Sequence, residues 1–257
     1  MPAEQRPGHP LGQSGLQRRS AARTAVVWDA LREVLDAVLE TRGAPASVVD
    51  IGGGTGGFAV RVAELGHRVV VVDPSPDALA TLARRADESG VADLVTGRQG
   101  DLDTLRDLVP EGGADGFDVV LCHGVLEIVD DPAAALDALA RVLRPGGTLS
   151  LLVSQRHAAV VARAMAGHFQ QARTLLDPDG APTRRFTADE VAAALDRAGF
   201  ETRTMHAVRV FVDLVPGALV DLEPGAASAL VDLEREVATR PEYLALATQI
   251  HAIAARR

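Results

Sequence analysis

An acid and closely spaced glycines stand together early in the chain, in the stretch VVDIGGGTGGF at residues 48–58. An apolar run leads to Asp50, the glycines follow it, and helical spacing resumes from Ala59 to Leu65. Glycine allows backbone angles that are closed to other residues, so a ligand can lie directly against the main chain. The helix that begins after the glycines offers unpaired N–H groups and a positive dipole end. The stretch therefore predicts a strand, a tight loop and a helix that hold a nucleotide-like ligand.

Two ligand classes fit the glycine spacing. Gly52, Gly54 and Gly57 match the pattern G-x-G-x-x-G of NAD-binding proteins, which on its own is weak evidence. With Asp50 at its start, the same loop equally resembles motif I of class I S-adenosylmethionine-dependent methyltransferases. That resemblance implies that Asp50 lies near the amino group of the methionine moiety and that Gly52, Gly53 and Gly54 contact the cofactor.

A second acid follows the next apolar run. The sequence RVVVVD at residues 68–73 has the continuous apolar character of a parallel strand that is covered on both faces. At the carboxyl end of that strand, Asp73 can accept hydrogen bonds from two ribose hydroxyl groups. Asp73 could instead cap the following helix, although Ser75 or Asp77 could serve as that cap. Its position relative to the glycines favours ribose binding in both ligand classes.

Later motifs separate the two classes. Gly100-Asp101 resembles the adenine-contacting segment of class I methyltransferases, in which the acid accepts a hydrogen bond from the exocyclic amine; the alternative is a simple turn. The sequence LRPGG at residues 143–147 resembles the turn that precedes the fifth strand in many of these enzymes, where proline stops a helix and glycine supplies the exit. Together with Asp50, these motifs favour S-adenosylmethionine over NAD.

The elements that position these residues alternate between strands and helices. This alternation predicts an α/β fold with a seven-stranded, mostly parallel, Rossmann-like sheet and helices on both faces. The predicted strands lie at 48–51, 67–73, 94–97, 117–123, 148–153, 201–212 and 244–253, and the predicted helices at 26–39, 59–65, 78–86, 132–143, 187–199 and about 220–240. We expect a flexible arm at residues 1–22, one methyltransferase domain at 23–257, and a lid inserted at about 155–186, after the fifth strand.

Further stretches narrow the resemblance. They are LCHGVLEIVDDP at 121–132, AGHF at 166–169, and VRVFVD at 208–213 with RPEY at 240–243 and QIH at 249–251. Together they resemble the bacterial tRNA 5-carboxymethoxyuridine methyltransferases, from about Arg23 to the C-terminus. The resemblance implies that tRNA is the partner and that Arg23 and His123 lie beside the cofactor. The lid of that family is rich in lysine, whereas this one carries Arg184 and Arg185, and the chain is only 3% aromatic.

Methyl transfer to a carboxylate requires no general base, because the carboxylate is already ionised at neutral pH. The protein must hold the acceptor oxygen in line with the breaking bond, and arginine offers the best-matched fork for a carboxylate. We therefore take Arg209 and Arg156 as candidate catalytic residues, with Arg23 as a further candidate and His123 and His157 as hydrogen-bonding partners. Alternatively, Arg209 points to solvent, and Arg156 and His157 are ordinary loop residues.

Composition limits the partners. The 257 residues carry a formal net charge of −9 and no lysine, so overall charge does not favour nucleic-acid binding. A basic rim made by the arm and the lid could still contact a phosphate backbone. The single cysteine, Cys122, excludes an internal disulfide, no apolar run reaches the length of a membrane span, and we expect no metal site. A cytoplasmic protein is the default expectation.

These observations predict an S-adenosylmethionine-dependent O-methyltransferase, with a carboxylate on a modified wobble uridine of tRNA as the first acceptor. Three alternatives remain at this point. They are a small-molecule O-methyltransferase, a Rossmann-type NAD-binding protein, and a non-catalytic scaffold that binds the cofactor without turnover. The fold alone does not choose among them.

Overall fold

Seven strands form one sheet in the computed structural model, which describes residues 15–108, 116–177, 183–216, 220 and 225–257. The strands are β1 (Ser47–Ile51), β2 (Arg68–Asp73), β3 (Val95–Gln99), β4 (Phe117–His123), β5 (Leu143–Ser154), β6 (Phe200–Val208) and β7 (Gln249–Arg256). Their order across the sheet is β3-β2-β1-β4-β5-β7-β6. Among these described strands β7 alone runs antiparallel to its neighbours, so the sheet is mostly parallel, as predicted.

Helices cover both faces of this sheet. They are α1 (Gly15–Arg42), α2 (Ala59–Glu64), α3 (Pro76–Glu88), α4 (Leu105–Leu108), α5 (Pro132–Val142), α6 (Arg156–Met165), α7 (Phe169–Thr174), α8 (Ala188–Arg197), α9 (Ala226–Val237) and α10 (Pro241–Leu244). Helices α1, α2 and α3 pack on one face, and α5 and α8 pack on the other. Over the ranges that the structure describes, no helix has the length and apolarity needed to cross a membrane.

The core is divided between the two faces by the alternation of side chains along the buried strands. Val48 and Leu121 pack beneath α1, against Leu31, while Val49 packs with Leu136 of α5 on the opposite face. Burying each such side chain contributes about 1.5–3 kcal/mol. The continuous valine runs therefore stabilise the sheet from both sides and leave its strand ends free for other contacts.

Those strand ends meet at one edge of the sheet. The mutually parallel strands β1 to β6 all direct their carboxyl ends toward it. The amino end of β7 lies there as well, because Gln249 pairs with Ser154 of β5 and with Val208 of β6. We call this region the carboxyl edge; it is where open α/β sheets bind their ligands.

Several boundaries differ from the predicted ones. Helix α1 begins at Gly15, so residues 15–22 of the expected arm are helical, while residues 1–14 lie outside the described ranges. Strand β5 begins at Leu143, because Phe117 pairs with Leu143 before the register shifts toward Val119. The LRPGG stretch is thus the irregular start of a strand and not the turn before it.

The two last strands also differ. Strand β6 ends at Val208 and not at Val212, because Arg209 adopts a left-handed φ of 62° that an extended strand cannot contain. Strand β7 starts at Gln249 and not at Leu244, because Pro241 begins the short helix α10. Both changes place new turns at the carboxyl edge.

Candidate active site

The loop after β1 accepts only glycine at its critical positions. Gly52 has a φ of 66°, and a Cβ atom built on it would lie 2.5 Å from the Cγ2 atom of Val125. A Cβ atom on Gly53 would lie 2.5 Å from the Oδ2 atom of Asp50. These contacts are closer than real Cβ atoms allow, so glycine is needed at both positions. No side chain therefore covers the backbone of the loop at these positions. We call residues 52–57 the glycine loop.

Asp50 is a buried acid that pairs with no arginine or histidine among the residues that the structure describes. Its residue is 3% exposed, and no described residue donates a hydrogen bond to its carboxylate. Burial, and then the charge of Asp73, raises the pKa of Asp50 to about 7. An acid in this state is costly to ionise alone and gains from a cationic ligand. The ammonium group of an amino-acid moiety at the glycine loop fits that requirement.

Asp73 connects the glycine loop to the end of β2. Its carboxylate accepts hydrogen bonds from the backbone N–H of Gly54 and of Ser75, each at 2.9 Å. The cap of α3 is Ser75, whose hydroxyl accepts from the backbone N–H of Ala78 at 3.2 Å. Ser75, and not Asp73, therefore caps α3. The role of Asp73 in binding the ribose stays a prediction.

Gly100 and Asp101 form a turn at the end of β3. The Asp101 carboxylate accepts hydrogen bonds from the backbone N–H and the hydroxyl of Thr104, at 3.1 and 2.9 Å. These hydrogen bonds to Thr104 outweigh slight desolvation and lower the pKa of Asp101. The simple-turn interpretation thus describes the local geometry, and an adenine contact by the same exposed acid stays a prediction.

A cavity of about 670 Å³ lies along the carboxyl edge in front of these turns. Of the residues predicted to bind the cofactor, those that line this cavity are Gly52, Asp73, Gly100, Asp101 and His123. The predicted residues Asp50, Gly53 and Gly54, and the side chains of Arg23, Arg156 and Arg209, do not line it. The cavity therefore brings together predicted residues at the ends of β1, β2, β3 and β4, whereas Asp50 lies buried against Gly53 and the arginines lie elsewhere.

His123, at the end of β4, is held by a chain of hydrogen bonds through Ser150 to His251. Its Nε2 atom lies 2.9 Å from the hydroxyl of Ser150, which lies 2.8 Å from the Nε2 atom of His251. The rings of His251 and His206 stack with centroids 5.3 Å apart. Burial lowers the pKa of His123 to about 4, so the imidazole is neutral at physiological pH. A neutral ring can lie beside a sulfonium cation without repelling it.

The predicted arginines are divided between two places. Arg209 donates to the Oδ2 atom of Asp213 from Nε at 2.8 Å, and Arg23 of α1 donates to the Oδ1 atom of Asp213 at 3.0 Å. Arg209 also reaches Gln249 at 3.4 Å. We call residues 209–213 the acceptor turn. It follows β6, which is the third strand from β4 in the sheet.

Arg156 belongs to a different structure. It begins α6 and donates to the carboxylate of Glu190 at 2.8 Å and to the carbonyl of Arg185 at 2.9 Å. Glu190 at the same time completes the capping box of α8 with Thr187. Arg156 therefore joins the two ends of the lid region to α8, and nothing brings it to the acceptor turn.

The lid region presents an exposed surface above β5. Helices α6 and α7 carry the exposed side chains Met165 and Phe169. The exposed side chains of Arg163 and Arg173 have no ion pair within the described ranges. Residues 178–182 of the expected lid lie outside those ranges.

Sequence reasoning missed Glu234, whose carboxylate holds the backbone of the acceptor turn. One signal for it was available: in α9 the buried positions are Leu230, Glu234 and Val237, so an acid occupies the apolar face of a helix. Ser150 and His251 were missed as partners of His123, because their meeting depends on the register between β5 and β7. No cluster of three or more potential metal ligands occurs in the portion of the chain described here.

Known proteins match this architecture over most of the chain. A protein-family profile described as a methyltransferase domain matches residues 22–204. The tRNA 5-carboxymethoxyuridine methyltransferase of Escherichia coli (strain K12) is 30% identical over 242 residues, which cover 90% of this chain and 87% of that protein. The ubiquinone biosynthesis O-methyltransferase of Xanthomonas axonopodis pv. citri (strain 306) is 36% identical over 171 residues, covering 66% of this chain and 67% of that protein.

A solved structure extends the likeness to the fold. The magnesium protoporphyrin IX methyltransferase from Synechocystis PCC 6803, with bound SAH, matches with a TM-score of 0.58 at 15% identity, covering 97% of this chain and 90% of that one. The chain belongs to the class I S-adenosylmethionine-dependent methyltransferases, and its cofactor is S-adenosylmethionine rather than NAD. When bound, this cofactor supplies a methyl group on a sulfonium. The unpartnered Asp50 and the bare glycine loop fit its cationic amino-acid end.

Proposed function

We propose that this methyltransferase O-methylates a carboxylate on a modified wobble uridine of tRNA. The observation that carries the proposal is geometric: the guanidinium groups of Arg209 and Arg23 converge on one carboxylate, that of Asp213. The weak basicity of the imidazole in the cavity agrees with it. His123 is the histidine that lines the cavity within the described residues, and its pKa is about 4. An acceptor hydroxyl with a pKa near 10 would face a base weaker by about six units, far from the match that general-base catalysis needs.

A carboxylate acceptor removes that difficulty, because it arrives already ionised. The protein then has to hold one oxygen in line with the methyl group and exclude water, which is a task of positioning alone. Rate enhancement of this kind requires charged or hydrogen-bonding groups that fix the acceptor and do not have to move a proton. The neutral His123 can donate or accept one hydrogen bond beside the reacting atoms.

The cofactor half of the site is assigned to residues around the cavity. In this proposal Asp50 binds the ammonium group, Asp73 the ribose hydroxyls and Asp101 the adenine amine. The glycine loop, Gly52 to Gly57, supports these contacts through its backbone. The three acids lie at or just beyond the carboxyl ends of the neighbouring strands β1, β2 and β3, so one extended ligand could contact all of them.

The acceptor half is assigned to the acceptor turn. Arg209 and Arg23 already share one carboxylate, that of Asp213, so the pair has the geometry that a substrate carboxylate would use. Both lie on the β6 side of His123, away from the cofactor residues. We assign Arg156 a structural role at the lid, since Glu190 and the carbonyl of Arg185 engage its guanidinium.

tRNA as the acceptor is supported by the relative in Escherichia coli and by the lid surface. The exposed lid side chains of Arg163, Arg173 and Phe169 combine cations with an aromatic ring. Phosphates and unstacked bases are the groups that such surfaces bind. The net charge of −9 then belongs largely to the rest of the molecule.

Methyl-labelled S-adenosylmethionine tests this proposal with the purified protein and total tRNA from a host strain that lacks the gene. The expected result is label in tRNA that is released by mild alkali, as a methyl ester requires. Alkali-stable label would retain tRNA as the partner but overturn the carboxylate. Absence of label, with cofactor binding established by titration, would overturn the tRNA proposal.

A small-molecule O-methyltransferase is the second candidate. The observation in its favour is the 36% identity to the ubiquinone biosynthesis enzyme, which is named as an O-methyltransferase. The test is label transfer to small phenols and carboxylic acids in place of tRNA. Activity on phenols would also require a base other than His123, whereas activity on small acids would not.

A further inference from the structure

A fully buried carboxylate supports the acceptor turn from beneath. Glu234 of α9 is 0% exposed and accepts hydrogen bonds from three consecutive backbone N–H groups. The donors are Val210 at 2.9 Å, Phe211 at 2.8 Å and Val212 at 2.7 Å. No arginine or histidine pairs with Glu234 in the described part of the chain. Both of its oxygens are therefore held by oriented backbone N–H groups, as in an anion-binding nest.

This contact decides the shape of the turn that carries Arg209. After β6 the backbone leaves the sheet with a left-handed φ of 62° at Arg209, which side-chain-bearing residues rarely adopt. The Arg209 carbonyl accepts hydrogen bonds from the N–H and the hydroxyl of Thr248, at 3.3 and 3.0 Å. Glu234 and Thr248 together hold the turn so that the guanidinium of Arg209 meets Asp213.

The pattern of hydrogen bonds to Glu234 requires an acceptor on both oxygens of its carboxylate. Here glutamine, the nearest isostere, would direct an NH₂ group at backbone N–H donors, because both carboxylate oxygens of Glu234 already accept from the turn. Buried donors without an acceptor are costly, so the turn would shift to satisfy them. The substitution thus changes where Arg209 points more than how tightly the core packs.

We infer that Glu234 is a positioning residue for the methyl acceptor: it fixes the acceptor turn so that Arg209 and Arg23 converge on one carboxylate. The inference rests on the proposed function, in which that arginine pair binds the acceptor. It assigns no role to Glu234 in cofactor binding, because α9 and the acceptor turn lie on the β6 side of the sheet and the glycine loop follows β1.

Glu234→Gln in the full chain tests the inference, with Glu236→Gln as the matched control. Glu236 lies on the same helix, is exposed and pairs with Arg240 at 2.9 Å. For Glu234→Gln we expect faster amide hydrogen exchange at residues 210–212, an affinity for S-adenosylmethionine within about twofold of the parent, and an acceptor KM raised about tenfold, the size expected for one disturbed charged hydrogen bond. Glu236→Gln should change none of these.

Faster exchange with an unchanged acceptor KM would overturn the positioning role. If the parent protein does not methylate tRNA, the proposed function fails first, and the exchange experiment still reports whether Glu234 shapes the turn. If Glu234→Gln does not fold, Glu234→Asp decides, since it keeps a carboxylate but shortens its reach to the three N–H groups. A rise of about threefold in acceptor KM, with unchanged cofactor affinity, supports the inference, and no rise overturns it.

Discussion

The two halves of the carboxyl edge handle charge in opposite ways. On the proposed cofactor side Asp50 is buried with no ionic partner in the described chain, and its pKa is raised to about 7. On the proposed acceptor side Arg209 and Arg23 both pair with the single carboxylate of Asp213. A cation that binds at Asp50 gains an interaction that nothing else supplies, whereas a carboxylate that binds at the arginines must share or displace Asp213.

This difference has an energetic consequence. Bringing a positive group to a buried, unpaired acid relieves a desolvation penalty, so the cofactor side should provide most of the binding free energy. The acceptor side exchanges one carboxylate for another, so it should contribute more to orientation than to affinity. The predictions below test the two halves separately.

The largest effect is expected at Asp50. Asp50→Asn removes the negative charge but keeps the shape of the side chain, and we expect S-adenosylmethionine affinity to fall about 100-fold, the upper range for a charged hydrogen bond. Because the buried acid is costly to ionise, the variant should keep or raise the melting temperature at pH 8. Calorimetric titration and thermal denaturation measure both quantities.

The exposed Asp77→Asn, in the first turn of α3, is the matched control and should bind the cofactor normally. A lower melting temperature for Asp50→Asn would indicate that Asp50 serves folding, and affinity near the parent value would contradict its proposed contact.

Arg209 tests the other half. Arg209→Gly suits the left-handed backbone and removes the guanidinium, so we expect the melting temperature to hold while acceptor kcat/KM falls about thirtyfold. Arg209→Lys keeps a charge but loses the fork, and should lose a similar amount. Labelled-methyl kinetics measure both, with cofactor affinity expected to stay within about twofold.

Arg203→Ala is the control for Arg209, since Arg203 lies on β6, the strand that leads to Arg209, is exposed and pairs only with Glu201 among the described residues. If both Arg209 variants kept the kcat/KM of the parent protein, the acceptor turn would not bind the acceptor. The arginines of the lid would then be the remaining candidates.

The cofactor half could be predicted from the sequence because it is local. Asp50 and the glycine loop lie within one short stretch, and Asp73 and His123 each end an apolar run whose valines predict a buried strand. In a parallel sheet the ends of such strands meet at one edge without further information. The seven-stranded, mostly parallel sheet was confirmed, and the roles of the individual residues stay predictions.

Arg209 and Arg23 of the proposed acceptor half were candidates from the sequence, but their meeting could not be predicted because it depends on distant contacts. Arg23, Arg209, Glu234 and Gln249 meet only through packing of α1 and α9 around β6 and β7. The apolar spacing of VRVFV predicted a strand continuing to residue 212, and nothing local reveals that Glu234 captures those N–H groups instead. The pairing of Arg156 with Glu190 likewise arises where the lid returns to the sheet.

A pH series sharpens the comparison with a smaller effect. In the free protein the pKa of Asp50 is raised from 3.8 to about 7. The folded state therefore holds this proton more tightly than the unfolded state does. The resulting contribution to folding stability is complete below pH 4 and is lost as the pH rises through 7. The cofactor ammonium requires the ionised form. Affinity should therefore fall as the pH is lowered from 7 to 5.5, by about tenfold for each unit well below the pKa.

Calorimetry in buffers of different ionisation enthalpy should also detect proton release on binding in this range. Asp50→Asn should show neither the slope nor the release. A flat profile in the parent protein would mean that Asp50 is ionised before the cofactor arrives.

The smallest effect is expected at Ser150, which lies behind the cofactor half. Ser150→Ala deletes the hydroxyl between His123 and His251 and leaves two buried ring nitrogens without that partner, at a cost of about 1–3 kcal/mol in stability. The pKa of His123 stays low because burial is its cause, so the ring should remain neutral and cofactor affinity should fall only about threefold through looser orientation. Ser89→Ala, which deletes an exposed hydroxyl at the end of α3, should leave both quantities unchanged. A loss of affinity as large as that of Asp50→Asn would show that the cofactor half depends on the orientation of His123 as much as on the charge of Asp50.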